Sequence, residues 1–304
     1  MAAVRVGPGE DPTLLGVASE DFTTTGRVLR VLRHNPLAWS GAVGFAFIVA
    51  FSFLGPIVYG VSPYTIHMAI TLHPPMRGFP LGTDNLGRDE LANVMFGGRT
   101  SILVGLSAAL ASMVIGVVLG LLSAWFGGWF DTILMRLVDL VRSIPALFLL
   151  IVLGAMFEPT AALLVVLIAF LSWTQIARLV RGEVLSLRER TFIEASVASG
   201  ASRWRIMLRH LLPNAMGTVI VATTLLVADA ILLVAALSFL GLGLPPPAPN
   251  WGSELSNSMS YLAENDWWMI YPPGICILIT VISINFLGDA FREAFGMRQS
   301  GGVR

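Results

Sequence analysis

The sequence predicts an all-α membrane protein with six transmembrane helices and both termini in the cytoplasm, and three observations predict it. Of 304 residues, 55% are hydrophobic and only 12% are charged, whereas a soluble domain carries roughly a quarter charged residues. The apolar residues fall into six runs, each near the length of about twenty residues needed to cross a hydrocarbon core. The Arg residues gather at alternate ends of those runs, which gives the chain a direction through the membrane. Nineteen basic residues balance nineteen acidic ones, so net charge points to no nucleic acid. Every basic side chain is Arg. Without Lys there is no Walker A loop, because its Lys is the group that reaches the terminal phosphates, and any ATP chemistry has to come from another chain. The single Cys276 lies in an apolar run, can form no internal disulfide, and reads as packing.

Residues 1–33 lack periodicity and an apolar core with a cleavage site, which predicts a cytoplasmic tail and no cleaved signal peptide. Arg27, Arg30 and Arg33 stand just before the first span, Trp39 to Tyr59. That span and an external segment rich in Pro and Gly complete residues 34–98. In the external segment the three Arg residues are matched by Asp84, Asp89 and Glu90. A core of five spans follows over residues 99–294, with a tail at 295–304. Ser101 to Phe126, the second span, is rich in Gly, Ala and Ser, whose small side chains permit close helix packing in lipid. Trp125, Phe126, Trp129 and Phe130 flank the turn at Gly127-Gly128 as an interfacial belt. The third span, from Asp131 to Phe157, carries Arg136, Asp139 and Arg142 on one face, where a ladder within the helix is expected to satisfy them, and Pro145 is expected to kink it. The fourth span ends near Leu179. Between Arg178 and Arg209 there are seven Arg against three Glu, the strongest positive bias in the chain. Ala215 to Leu240 forms the fifth span and contains Asp229, an intramembrane acid and so a candidate pathway residue. Pro272-Pro273 suit the first turn of the sixth span, and Arg292, Arg298 and Arg304 return the C-terminus to the cytoplasm.

The segment between the fourth and fifth spans, about 188–213, interrupts the apolar chain with a helical pattern of its own. Thr191 is a candidate N-cap with Glu194 three residues on, as in a capping box. Gly200 then ends a first short helix, and Ser202 caps a second in which Trp204, Met207, Leu208 and Leu211 recur at helical spacing while Arg203, Arg205 and Arg209 point elsewhere. At Glu194-Ala195-Ser196, Gly200 and Leu212-Pro213 the segment resembles the coupling loop of importer permeases powered by ATP-binding cassettes (ABC). In that pattern Glu-Ala-Ala is followed by Gly and, after nine residues, Ile, any residue and Leu-Pro. Ser196 replaces the second Ala and His210 the Ile. Leu81-Gly82-Thr83-Asp84-Asn85-Leu86-Gly87-Arg88-Asp89 resembles the segment before the permease core in the subfamily that carries dipeptides, oligopeptides and nickel. The spacing of Arg136, Asp139 and Pro145 resembles it too, as does Leu237-Ser238-Phe239-Leu240-Gly241. Relatives commonly place an acid four residues before Ser238, where this chain has Val234.

What the resemblance implies is a type I ABC importer permease in a bacterial plasma membrane, multi-pass, in contact with lipid and with no cofactor of its own. ATP and Mg would be held by two partner ATPases. A similar second permease and an external substrate-binding protein would complete the assembly, with peptides or nickel as cargo. Glu194, Ala195, Ser196, Gly200, Ala201, Arg205, Leu212 and Pro213 would couple to the ATPases. Asp229, Ser238 and Asp139 are the candidate intramembrane polar residues. Two other classes compete. A proton-coupled secondary carrier would use Asp139 or Asp229 as a relay, but the chain shows no second copy of its hydrophobic pattern. An intramembrane enzyme needs a nucleophile or metal set, and His34, His67, His73 and His210 are scattered, with the external pair His67 and His73 lacking a third ligand at suitable spacing.

Overall fold

The computed structural model describes Val31, residues 33–264 and residues 266–300. Arg27, Arg30 and Arg304, used above to orient the termini, lie outside the described residues. The described chain is helical apart from loops and two isolated bridges, Met76 with Phe79 and Thr83 with Asp89.

Helix α1, Pro36–Phe53, starts where the Asn35 carboxamide accepts from the N–H groups of Leu37 and Ala38 and Pro36 supplies a preset φ. A short α2, Gly55–Tyr59, follows it. α3, Glu90–Phe126, is capped by the Asp89 carboxylate, which accepts from Ala92 N–H, and has 37 residues, about 55 Å at 1.5 Å per residue. That is far longer than a bilayer core of about 30 Å, so its first turns stand in a polar cap. The Gly127-Gly128 turn predicted from sequence is present, both residues at positive φ. α4, Gly128–Ser143, and α5, Ala146–Met156, meet at an 85° bend. Pro145 therefore does more than kink a helix: it separates two. α6, Ala161–Arg188, is capped by Thr160, and the short α7, Thr191–Ala198, lies beyond it. α8 then runs without a break from Arg203 to Phe239, through a wide π-turn at Met207–Leu211. The sequence placed a boundary near Pro213 and a separate fifth span; instead the second short helix is the first turns of that span. α9, Trp251–Ser258, and a 3₁₀ turn precede α10, Trp267–Ser300.

Five of these helices are long and apolar enough to cross a membrane, and the bent pair α4–α5 makes a sixth if it crosses as one. Among the described helices α3 and α6 share the most extensive interface. A Cβ on Gly116 would meet Ile176 Cβ at 2.6 Å and Trp173 O at 2.8 Å, and one on Gly120 would meet Ala177 O at 2.5 Å. Small residues here serve the close packing that the second span's composition predicted. One core joins α3, α6, α7, α8 and α10 through residues such as Ile176, Ile193, Ile206, Met207 and Leu211. Around the α5 end of the molecule a second core gathers α3, α4, α5, α6 and α8. Trp251, fully buried, donates its indole N–H to Val94 O at 2.9 Å and centres a third with Ile48 and Cys276.

Pro272 and Pro273 sit inside α10, beyond its first turn. α10 begins earlier than the prolines suggested, and α9 compensates for one of them: Pro273 has no N–H for the carbonyl of Met269, and the Ser258 hydroxyl donates to that oxygen at 2.7 Å.

Candidate functional site

Three places concentrate polar chemistry, and the Arg-rich loop between α6 and α8 is the first. α7 begins one residue before the sequence reading places it: Arg190 is the N-cap, no side chain caps it, and Thr191 is the first helical residue. The predicted capping box is therefore absent. Glu194 lies in the first turn, exposed, where the helix dipole favours a carboxylate. The end of α7 matches the sequence reading. Gly200 has φ +77°, its N–H donates to Val197 O at 2.9 Å, and Ala201 N–H donates to Ser196 O at 3.1 Å. These two bonds define a Schellman turn. The hydroxyls of Ser196 and Ser199 donate back to Phe192 O and Ala195 O. Ser202 caps α8 as expected, accepting from Arg205 N–H.

The apolar stripe of this segment divides. Met207 and Leu211 are buried in the core with Ile206, whereas Trp204 is 59% and Leu208 55% exposed, as are Phe192 at 42% and Val197 at 57%. Arg205 and Pro213 are exposed and Leu212 half-buried. Pro213 brings no N–H to the helix, and just ahead of it Leu212 N–H bonds Met207 O in the π-turn that contains His210.

The second place is a cleft of about 570 Å³ between α4–α5, α6 and α8, with the Pro145 break in its wall. Its wall includes Arg142, Ser172, Gln175 and Asp229. Asp139 was expected to pair along its own helix with Arg136 and Arg142. It pairs instead with Arg178 of α6, and one step nearer the Arg-rich end Arg181 grips both carboxylate oxygens of Asp131, at 2.5 and 2.6 Å. Cross-helix pairing wins because α4 and α6 pack together, leaving Arg142 beyond the last pair. Ser238 is not part of the cleft wall; it is buried, its Oγ against Gly243 and its Cβ against Gly252. Among the described residues neither Arg142 nor Asp229 has a hydrogen bond or ion pair.

The third place, at the opposite end from the loop, is the segment Leu81 to Asp89. Asp84 accepts from Leu86 N–H, Arg88 N–H and Arg88 Nε at 2.9, 2.7 and 2.6 Å. Gly87, at φ +74°, has no room for a side chain: a Cβ would lie 2.1 Å from His67 O. Asp89 accepts from Tyr59 Oη at 2.7 Å as well as capping α3. Of the three acids expected to match the Arg residues, only Asp84 does so. Glu90 is fully buried and both its carboxyl oxygens lack a partner, while Glu254 of α9 is 5% exposed. Burial pushes the Glu254 carboxyl up to about 7, Arg88 opposing and Asp84 reinforcing the shift. Sequence reasoning matched Glu90 to Arg and so missed that it and Glu254 are buried acids, and it missed the burial of Trp251, because burial under a distant helix leaves no mark on a loop sequence. Gln175, a polar residue within an apolar span, was the available signal for the cleft. No group of three His, Cys, Asp or Glu among the described residues is placed to hold a metal ion.

Comparison with known proteins matches residues 116–301 to the inner membrane component of binding-protein-dependent transport systems. Residues 23–75 match the N-terminal transmembrane domain of oligopeptide transport permease C. A putative peptide permease protein of Brucella suis biovar 1 (strain 1330) is 41% identical over 257 residues, 81% of this chain and 84% of the relative. A putative peptide transport system permease protein of Brucella abortus biovar 1 (strain 9-941) is 35% identical over 269 residues, 88% of this chain and 90% of the relative. The di/tripeptide transport system permease protein DppC of Pseudomonas aeruginosa (strain UCBPP-PA14) is 36% identical over 301 residues, 97% of each chain. The chain therefore belongs to the family of inner-membrane components of binding-protein-dependent transport systems, as a multi-pass permease of the bacterial inner membrane.

Proposed function

We propose that the chain is one of two permease subunits of an ATP-driven importer of short peptides, that the cleft at Pro145 is its half of the pathway, and that the loop between α6 and α8 receives a cytoplasmic ATPase. One observation carries this reading. Phe192, Val197, Trp204 and Leu208 stand exposed around a hydrogen-bonded turn, interleaved with Arg203, Arg205 and Arg209, and the helix that bears Trp204 continues as a span to Phe239. An exposed apolar patch with a charged rim suits a protein partner. A continuous helix from patch to cleft lets movement of that partner tilt the wall of the pathway. The peptide cargo comes from the relatives' names, and nickel is the cargo alternative.

In this arrangement the bent pair crosses as the third of six spans, and both termini lie on the side of the Arg-rich loop, as the distribution of Arg requires. Glu194 presents a carboxylate to the ATPase, and Ala195, Ser196, Gly200, Ala201, Arg205, Leu212 and Pro213 shape the docking unit. The two ATPases hold ATP and Mg; this chain contributes no catalytic residue. ATP binding shifts the population between inward-open and outward-open pathways because it has different affinity for the two states. An external binding protein delivers cargo to the opposite end.

The test is uptake of labelled peptides into vesicles holding the chain with a second permease, two ATPases and a binding protein. Uptake should follow ATP and survive collapse of the proton gradient. Asp229, unpaired in the cleft, is the observation that favours a proton-coupled carrier; uptake that collapses with the gradient at constant ATP establishes that class instead. Uptake of nickel without peptide transfers the cargo to the metal.

A further inference from the structure

We propose that the cleft is a transit subsite for a zwitterion, with Asp229 holding the α-ammonium group of a short peptide and Arg142 its α-carboxylate. The inference rests on the peptide reading and deepens it by naming what part of the cargo the permease itself contacts.

The argument begins with charge at depth. Asp229 lies ten residues before the end of α8 at Phe239, about 15 Å along the helix, and Arg142 is next to the last residue of α4 at the Pro145 break. Ionised groups within spans are costly unless paired or wet. On α4 and α6 this chain pairs Asp131 with Arg181 and Asp139 with Arg178, while Arg136 and Glu183, also without an ion pair among the described residues, lie off the cleft wall. One helical turn beyond Arg178 on α6 stands Gln175, a neutral amide, where a carboxylate would have completed the series for Arg142. Asp229 could have served from across the cleft, yet the two are not within ion-pair distance, and among the described residues each is without a partner. Both are exposed, and both line the same cleft with Ser172 and Gln175.

Two opposite, unpaired charges on facing walls select for a ligand that carries both signs. The space agrees: about 570 Å³ falls in the range of roughly 300 to 1,000 Å³ typical of small-ligand sites. A dipeptide spans about 7 Å at most between its ends, and the remaining wall is apolar, with Leu171, Leu226 and Leu233, apart from Thr174, whose hydroxyl is taken by Leu171 O. Gln175, which both donates and accepts, suits the peptide bond between the charged ends. Such a subsite recognises the termini common to all short peptides.

Two measurements test it. In vesicles with the binding protein saturated by alanyl-alanine, Asp229→Asn and Arg142→Gln should each lower the rate of uptake by about tenfold or more, since hydrogen bonds to charged groups are the strong ones. Stimulation of ATP hydrolysis by the binding protein should persist, which a merely misfolded cleft would not allow. Separately, a Ser172→Cys reporter at the wall should react with maleimide more slowly in the presence of alanyl-alanine, not in the presence of its N-acetylated, C-amidated form, and the protection should vanish when Asp229→Asn is added. Protection by the capped form equal to that by the free form, no protection by either, or unchanged uptake in both variants overturns the subsite. Loss of ATPase stimulation in the variants also overturns it, by assigning the charges to contact with the second permease. Protection by alanyl-alanine in an assembly that takes up no peptide leaves the subsite standing and overturns the transport reading.

Discussion

Gly200→Val tests whether one turn carries the coupling proposed for this loop. Gly200 has φ +77°, and a Cβ added there would meet nothing within 4 Å. No clash adds to the backbone effect, so the substitution acts through conformation alone. A left-handed residue with a Cβ costs about 1–2 kcal/mol, and a β-branched one stands at the high end. On that scale the population of the Schellman turn, with its bonds to Val197 O and Ser196 O, falls about 5- to 30-fold relative to an unturned loop. α7 is then no longer held against the start of α8, and the exposed set Phe192, Val197, Trp204 and Leu208 ceases to be one surface. The expected result in reconstituted complexes is normal abundance in the membrane, weakened association with the ATPases, and loss of uptake together with loss of substrate-stimulated ATP hydrolysis. Gly200→Asn is the decisive control, because Asn is among the residues that enter the left-handed region most readily. It should retain most activity. If Gly200→Val transports at the unmodified rate, or if Asn and Val fail equally, the turn's handedness is not what couples this loop to its partner.

Other outcomes follow from the same geometry. Charge reversal by Glu194→Lys places a cation at the start of α7, against its dipole, and should impair ATPase association at unchanged membrane abundance; undiminished association removes Glu194 from the docking unit. Gly116→Val forces a Cβ to 2.6 Å from Ile176 Cβ and 2.8 Å from Trp173 O and should cost about 1–3 kcal/mol, read as a lowered Tm in detergent, whereas Gly182→Ala, open on all sides, should change little. A Tm unmoved by Gly116→Val means that α3 and α6 are not so tightly joined. For Glu254 the folded-state value of about 7 stands above the ordinary 4.5, so the folded protein holds the proton more tightly. The contribution of this carboxyl to stability is therefore present in full below about pH 4.5, declines as pH rises to about 7, and is lost above that, a total on the order of 3 kcal/mol. Glu254→Gln should flatten this contribution, and a Tm whose pH dependence is the same in the variant refutes the assignment.

The helices were legible because lipid imposes a length and an apolar character on each span, and because caps and breakers are local signals. Gly127-Gly128, Gly200 and Ser202 each do locally what their residue types permit, whereas the cap at Asn35-Pro36, three residues before the start read at Trp39, went unread. The errors arose where a distant group overrides a local rule. Pro272 and Pro273 read as a helix start, yet α10 tolerates them inside because Ser258, on another helix, takes the Met269 carbonyl. Asp139 read as the middle of a ladder within one helix, yet Arg178 competes from α6. Pairing across helices depends on packing register, which no periodicity in one segment encodes. Glu90 read as a match for Arg, and its place beside Glu254 was not legible, for the same reason: 164 residues apart in the chain, they become neighbours only when α9 folds over the start of α3.

The boundary that mattered most was the one near Pro213. Proline in a helical pattern predicts an end, since it lacks a donor and crowds the preceding turn. Here the preceding turn is widened to a π-turn at Met207–Leu211, and the helix goes on. Arg203 to Asp229 is thus one rigid body of about 40 Å by helical rise, with Trp204 and Leu208 at one end and a cleft carboxylate at the other. A separate docking helix joined by a loop would dissipate a partner's motion in the joint. Under the proposed coupling a continuous one would transmit it, and a tilt of ten degrees at the loop would move Asp229 by about 7 Å, enough to change which groups face the cleft. Inserting two glycines after Pro213 should therefore spare membrane insertion and ATPase binding while abolishing uptake. If uptake persists with those glycines in place, the pathway opens by some route other than this helix.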